Sequence, residues 1–523
     1  MLSDPRPVNR ATNEPVLTWV PGEFLFAVQR VAPPAPDRAA LVSDVSGVVD
    51  RALQTLGVQR AVQPDRERPE ASSVFEADGN QLMFHPVWLA APEQVAPTVQ
   101  AFNTDERIRA IALERNLQPR ISLPNFFSAA QDNCIGGSPG SFPRRLQPEH
   151  RRLLYVPTIP DFVPEQARDA NRDVVRVAVL DTGPPANEVV NAQLQQLQPR
   201  LQMDTFASRA QREVVLGSGV LPGATPAEAP PFDKREHGLF VSGLIDSVAP
   251  WVSIRLLRVL NDQGVGTLQA LLLALQDLLA ENADGAPLIV NLSLGALPPV
   301  EQLRAVLASN GVVPAGSDAA AQEIDMTAWK DVASPERDVF FALRDLVELL
   351  QRRNCLIVAA AGNDSGRGYK WRWNPRAPAC YDNVLAVAAT GRSNRAASYS
   401  NIGDVPVLGN GFATFGGNAA GFQAVADDAV AGLYTARAFP PGADSPVGSG
   451  KEAGWALWAG TSFATPLMSG TVANYWASQW DPDKRTPQAA DVLAQVNDII
   501  RHNGVFVPEL DAPEAPVAAR WFD

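Results

Sequence analysis

Apolar residues along the first 127 positions recur in two alternating rhythms. The run EFLFAVQRV, residues 23–31, predicts a strand, whereas RAALVSDVSGVVDRALQTLG, starting at Arg38, spaces its apolar residues three and four apart and predicts a helix. SSVFEADGNQLMFHPVWLA, residues 72–90, reads as two strands around an Asp-Gly-Asn turn. A helical stretch then ends near Asn116, and RISLPNFF, residues 120–127, returns to strand. The order is β-α-β-β-α-β. From about Ser128 to Arg172 periodicity disappears, and IGGSPGSFPRRLQPEHRR concentrates glycine, proline and the pairs Arg144-Arg145 and Arg151-Arg152. That composition predicts an exposed linker, its arginine pairs solvated and within reach of a protease.

Beyond residue 173 the rhythm changes again. VVRVAVLD (174–181), VSIRLLRVL (252–260), PLIVNLSLG (287–295), NCLIVAAAGN (354–363) and NVLAVAA (383–389) are continuous apolar runs, as expected of strands buried on both faces. Between them Leu268, Leu271, Leu272, Leu275, Leu278 and Leu279 keep helical spacing, and residues 337–353 do the same. The predicted fold class is α/β: a parallel β-sheet flanked by helices on both faces, preceded by a smaller α+β ferredoxin-like domain. Chemistry in such sheets gathers at the carboxyl ends of the strands.

Composition narrows the function classes. A formal charge of −13 argues against a nucleic-acid partner. Cys134, Cys355 and Cys380 show no CxxC spacing, and His85, His150, His237 and His502 form no cluster, so a zinc site is not expected. The acids and prolines of MLSDPRPVNRATNEPVLTWVPGEF do not suit a signal peptide, and LLLALQDLLA is too short to span a bilayer. The expectation is a cytoplasmic protein with no membrane partner, leaderless export remaining open.

Four residues stand where the chemistry is sought: Asp181 ends the first buried run, His237 opens a small-residue helix, Asn363 follows VAAAG, and Ser462 lies in WAGTSFATPLMSG at the start of another helix. Each has a structural reading, since Asp and Ser cap turns and helices and a lone histidine often packs. Together they supply an orienting acid, a base, an amide donor and a nucleophile, which is the set that acyl transfer needs.

The order Asp, His, Ser and the segments VAVLDTG, HGLFVSGLI, NLSLG, VAAAGN and AGTSFATPLMSG resemble the signature segments of the subtilisin-like serine proteases, or subtilases, over roughly Val174 to Asn503. The resemblance implies Ser462 as nucleophile, His237 as base then acid, Asp181 as orienting carboxylate, and Asn363 with the Ser462 N–H as oxyanion hole. It also implies a substrate edge at Ser293, Leu294 and Gly295 and a pocket floor at Ala360, Ala361 and Gly362. Pro466 is read as a first-turn proline that helps shape the turn presenting Ser462. The domains implied are 1–127, resembling the family's inhibitory propeptide; 128–172, a processing region; 173–505, the catalytic domain; and 506–523, a tail.

Expected partners are a protein or peptide substrate and the chain's own N-terminal domain as inhibitor of a zymogen. Alternatives are a peptide-binding module without turnover and an esterase or acyl-transferase on the same triad. No cofactor is required for the chemistry; a structural calcium fits the family, but no loop of spaced oxygen ligands is readable, and the metal is left unknown. Leu239 stands where the family usually has threonine, which predicts altered packing. Residues 216–233 and 308–338 read as insertions near the groove. Cys355 is read as a buried apolar group, Cys380 as more accessible, and Asp364 and Asp382 as turn caps rather than metal ligands.

Overall fold

The computed structural model describes residues 19–31, 38–61, 72–77, 80–120, 122–129, 144–145, 174–183, 201–204, 234, 236–260, 264–296, 335–365, 372–391, 395–401, 411–418, 429–434, 455–479, 487–503, 505–506 and 516–517. Contacts divide the chain into two compact units. One holds residues 1–128, 267–281 and 296–349, the other 129–266, 282–295 and 350–523. The expected boundaries run linearly along the chain, whereas two stretches of 173–505 group with the N-terminal residues.

In the first unit, four antiparallel strands lie in the order Leu123–Ala129, Trp19–Val31, Asn80–Trp88, Ser73–Ala77. Phe24 and Phe26, two apart and so on one face, both meet the ring of Phe102 edge-on at 5.1 and 5.2 Å. The helix Arg38–Leu56 buries Leu41, Val45, Val48, Val49 and Ala52, the positions its spacing predicts. The single helical stretch expected up to Asn116 is two helices, Val95–Thr104 and Glu106–Leu113. Asp105 causes the break: its backbone is extended and its carboxylate accepts the Arg107 N–H at 2.9 Å, capping the second helix. The helix Leu268–Glu281 is held in this unit by side chains, with Gln276 Oε1 accepting the Val74 N–H at 2.7 Å and Asn125 Oδ1 accepting the Gln269 N–H at 3.2 Å.

In the second unit, seven parallel strands lie in the order Gly411–Phe415, Val384–Thr390, Cys355–Ala360, Leu288–Leu292, Arg176–Asp181, Ser253–Arg258, Leu201–Asp204. The five predicted runs are the central strands. The helices His237–Val248 and Thr461–Ser478 share one core with the sheet, joining Phe240, Ile245, Leu467 and Trp476 to Val177, Val179, Val358 and Val387. That core fixes the helix starts at the carboxyl end of the sheet.

A second, three-stranded sheet corrects the linker reading. Arg144–Arg145 pairs antiparallel with Trp455–Trp458, Arg144 opposite Leu457 and Arg145 opposite Ala456, so this backbone is a strand rather than an open loop. Trp455–Trp458 is paired on its other side by Val430–Leu433, and Arg144–Arg145 satisfies the edge that would otherwise stay exposed. Arg151-Arg152, the rest of the linker, residues 216–233, residues 308–334 and most of the tail lie outside the described residues. Among the described residues no helix is long and apolar enough to cross a membrane.

Candidate active site

Arg176–Asp181 runs beside Ser253–Arg258 with Asp181 opposite Arg258, which brings its carboxylate to the end of the sheet. Asp181 Oδ1 accepts the Thr182 N–H at 2.6 Å and meets His237 Nδ1 at 2.8 Å, and both side chains are wholly buried. Thr182 places the helix: its hydroxyl donates to the Lys234 carbonyl at 3.0 Å and accepts the Gly238 N–H at 3.0 Å. Gly238 has to be glycine, because a Cβ there would fall 2.1 Å from the Thr182 carbonyl oxygen. Leu239, beside it, packs fully into the core. With Nδ1 committed to the carboxylate, Nε2 is left as an acceptor, and it is buried without a hydrogen-bond partner among the described residues. For a packing histidine that is a cost, whereas a general base needs its acceptor unspent.

Ser462 is the second residue of the helix Thr461–Ser478, which follows an extended Gly460. Pro466 lies in the second turn, not the first as expected, and this has a local effect. A residue there would normally donate to the Ser462 carbonyl four positions back, and proline has no N–H to give. The carbonyl takes the Ser293 hydroxyl instead, at 2.8 Å, while the Ser462 hydroxyl donates to the Ser293 carbonyl at 3.0 Å. Ser462 is therefore seated on the strand end beyond Leu288–Leu292, and its hydroxyl bonds Ser293 rather than His237. Phe463, in the first turn of this helix, and Trp458, at the end of the strand before it, hold the histidine, their rings 5.2 and 5.3 Å from the imidazole, and Phe240 meets Trp458 edge-on and Phe463 at a tilt. Asn363 Oδ1 accepts both the N–H and the hydroxyl of Thr461, at 3.0 and 2.9 Å, which orients Nδ2 as the free donor end of the amide.

The sequence profile of the subtilase family matches residues 173–502 of this chain. The chain belongs to the subtilase family. It is 29% identical to the minor extracellular protease Epr of Bacillus subtilis (strain 168) over 181 residues, 33% of this chain and 20% of that protein. It is 27% identical to subtilisin DY of Bacillus licheniformis over 219 residues, 40% of this chain and 62% of that one. The matches thus span about a fifth and about three fifths of these relatives. Among solved structures, a lanthipeptide protease aligns with 72% of this chain and 95% of its own, at 18% identity and a TM-score of 0.43. A cold-adapted subtilisin-like serine proteinase aligns with 67% of this chain and 89% of its own, at 18% identity and a TM-score of 0.37.

In this subtilase the substrate segments implied by resemblance lie side by side. The last rung between Leu288–Leu292 and Cys355–Ala360 pairs Leu292 with Ala359, so Ser293 and Ala360 follow next in register. Ser293 and Leu294 are buried, and Ala361 and Gly362 are tied down through the Arg376 and Asn401 N–H groups, each 2.9 Å from their carbonyls. Asp364 is not the turn cap expected. It holds Arg376 through Nε at 2.9 Å and Nη2 at 2.5 Å and accepts Asn401 Nδ2 at 2.8 Å, because a carboxylate this buried needs a cation and full hydrogen bonding. Two charges twelve positions apart around a polar loop were the only sequence sign of it.

Cys380 is buried, contrary to expectation, and Cys355 is buried as well, its thiol pushed up to about 12 by desolvation. Cys355 is thus no thiolate nucleophile. Among the described residues no group of three His, Cys, Asp or Glu side chains could hold a metal ion.

Proposed function

We propose that this subtilase is a serine endopeptidase that hydrolyses peptide bonds through an acyl-enzyme on Ser462. The observation that carries the reading is the buried Asp181–His237 pair, 2.8 Å apart, whose Nε2 has no partner among the described residues while Ser462 lies in the first turn of the neighbouring helix. The Ser462 hydroxyl turns from the Ser293 carbonyl to His237 and gives its proton to Nε2 as Oγ attacks the substrate carbonyl. Asp181 keeps the tautomer and stabilises the imidazolium. Asn363 Nδ2 and the Ser462 N–H receive the oxyanion, and His237 returns the proton to the leaving amine. Water repeats the sequence to free the acid. Trp458, Phe463 and Phe240 keep the imidazole dry, which strengthens each of these interactions.

A peptide is the fitting substrate because Ser293–Gly295 continues past the last rung of a parallel ladder, where main chain can pair with main chain. Autoinhibition by the N-terminal domain is part of the proposal. It is supported by the strand and helix order of that domain, which resembles the family's inhibitory propeptide. Release would follow a cut between 128 and 172, and away from Arg144-Arg145, whose backbone is engaged by Ala456 and Leu457.

Intact mass followed over time for the wild type and Ser462→Ala, each then given an unfolded protein, tests the reading. The wild type is expected to shorten within 128–172 and digest the substrate while Ser462→Ala does neither. Equal digestion by the two would overturn it.

A further inference from the structure

Gly295 closes the segment read as the substrate edge and Gly362 the segment read as the floor of the pocket for the residue before the cut, and one side chain touches both. A Cβ added at Gly295 would fall 2.6 Å from Arg376 Cδ, 3.3 Å from its Cβ and 3.5 Å from its Cγ, and one added at Gly362 would fall 3.3 Å from Arg376 Cγ. The methylene stem of Arg376 therefore lies against both glycines. It is not a surface charge lying over a groove, for Arg376 is only 1% exposed.

The stem is fixed at both ends. The Arg376 N–H donates to the Ala361 carbonyl at 2.9 Å, and the guanidinium grips Asp364 with two bonds. Asn401 Nδ2 bonds both the Asp364 carboxylate, at 2.8 Å, and the Ala361 carbonyl, at 3.1 Å. Swinging Arg376 aside would strand a buried carboxylate, a penalty that a substrate side chain cannot repay by apolar contact alone. Gly295 and Gly362 provide the room, and Arg376 uses it. Its charge is matched by Asp364, so what lies against the two glycines is the methylene stem.

We infer that Arg376 is a specificity-determining residue that fills this pocket and restricts cleavage to bonds preceded by a small uncharged residue: glycine, alanine or serine. The inference rests on the peptidase reading above, and the experiment separates the two. Two measurements are made on the protein that results when the full chain has been incubated and given the unfolded substrate. One is covalent labelling of Ser462 by a fluorophosphonate; the other is kcat/KM for a peptide series differing only at the residue before the cut.

The expected result is labelled Ser462 with alanine, glycine and serine peptides favoured at least tenfold over those with phenylalanine, leucine, arginine or glutamate. Labelling with phenylalanine or leucine accepted as well as alanine overturns the role of Arg376 and leaves the peptidase standing. Absence of labelling overturns the peptidase reading and the pocket with it. In the double variant Arg376→Gly/Asp364→Asn, which leaves neither charge unmatched, the phenylalanine-to-alanine ratio should rise at least tenfold. An unchanged ratio in a folded double variant would assign the preference to some other residue.

Discussion

His85, in the antiparallel sheet of the first unit, and His237, at the parallel sheet of the second, are 5% and 0% exposed, yet their nitrogens are occupied in opposite ways. His85 spends both on hydroxyls, Nδ1 on Ser72 Oγ at 2.8 Å and Nε2 near Ser46 Oγ at 3.4 Å. Burial, helped by the charge of Arg60, lowers its pKa to about 3 and holds it neutral. His237 spends one nitrogen on a carboxylate, and among the described residues the other has no partner. Burial alone thus makes a histidine inert. A counter-charge on one side and an unspent acceptor on the other are what the proposed base requires.

The largest effect should come from making His237 more like His85. In Asp181→Asn the carboxylate becomes a neutral partner that admits the wrong tautomer, and kcat is expected to fall about 10⁴-fold with the fold intact by circular dichroism. A smaller loss would mean that Asp181 does not set the tautomer. Removing the other buried carboxylate should act on stability first. Asp364→Ala strands Arg376 and should cost ~3–5 kcal/mol in denaturant unfolding, whereas an unchanged midpoint would mean the pair is not buried in solution.

Asn363→Ala, which removes an oxyanion donor and leaves the Asp181–His237 pair alone, should lower kcat about 10²- to 10³-fold with KM nearly constant. The smallest effect, read between pH 7 and pH 5, belongs to His85. Its folded pKa lies below the unfolded value of 6.5, so the unfolded chain takes up the proton first as pH falls. The stability it contributes is full above pH 6.5 and declines through the window down to about 3, by ~1.4 kcal/mol per pH unit. Thermal unfolding at pH 7 and pH 5 should show this decline in the wild type and a shallower one in His85→Gln. Equal slopes would indicate that His85 is hydrated.

What could be read from the sequence follows a physical line. The five central strands of the parallel sheet announce themselves because both faces are buried and their apolar runs are continuous; at their ends Asp181 meets His237 and Ser293 meets Ser462. The edge strands Leu201–Asp204 and Gly411–Phe415 lack that signature, one with polar residues at alternate positions and the other in a glycine-rich stretch. Contacts between loops have no period at all. Asp364 with Arg376, and Arg144–Arg145 with Ala456–Leu457, are chosen by the packed chain rather than by local spacing. The start of the Thr461 helix is likewise set by its bonds to Asn363, which moves Pro466 a turn deeper than composition suggests.

Pro466 also bears on how far this enzyme could be hardened. Judged by helix propensity alone, replacing it with alanine is worth about 3 kcal/mol, the kind of substitution a thermostability screen retains. The restored N–H would compete with Ser293 for the Ser462 carbonyl and loosen the seat of the proposed nucleophile. A tougher helix and a working serine pull this one position in opposite directions, a stability–activity trade-off written into a single missing proton.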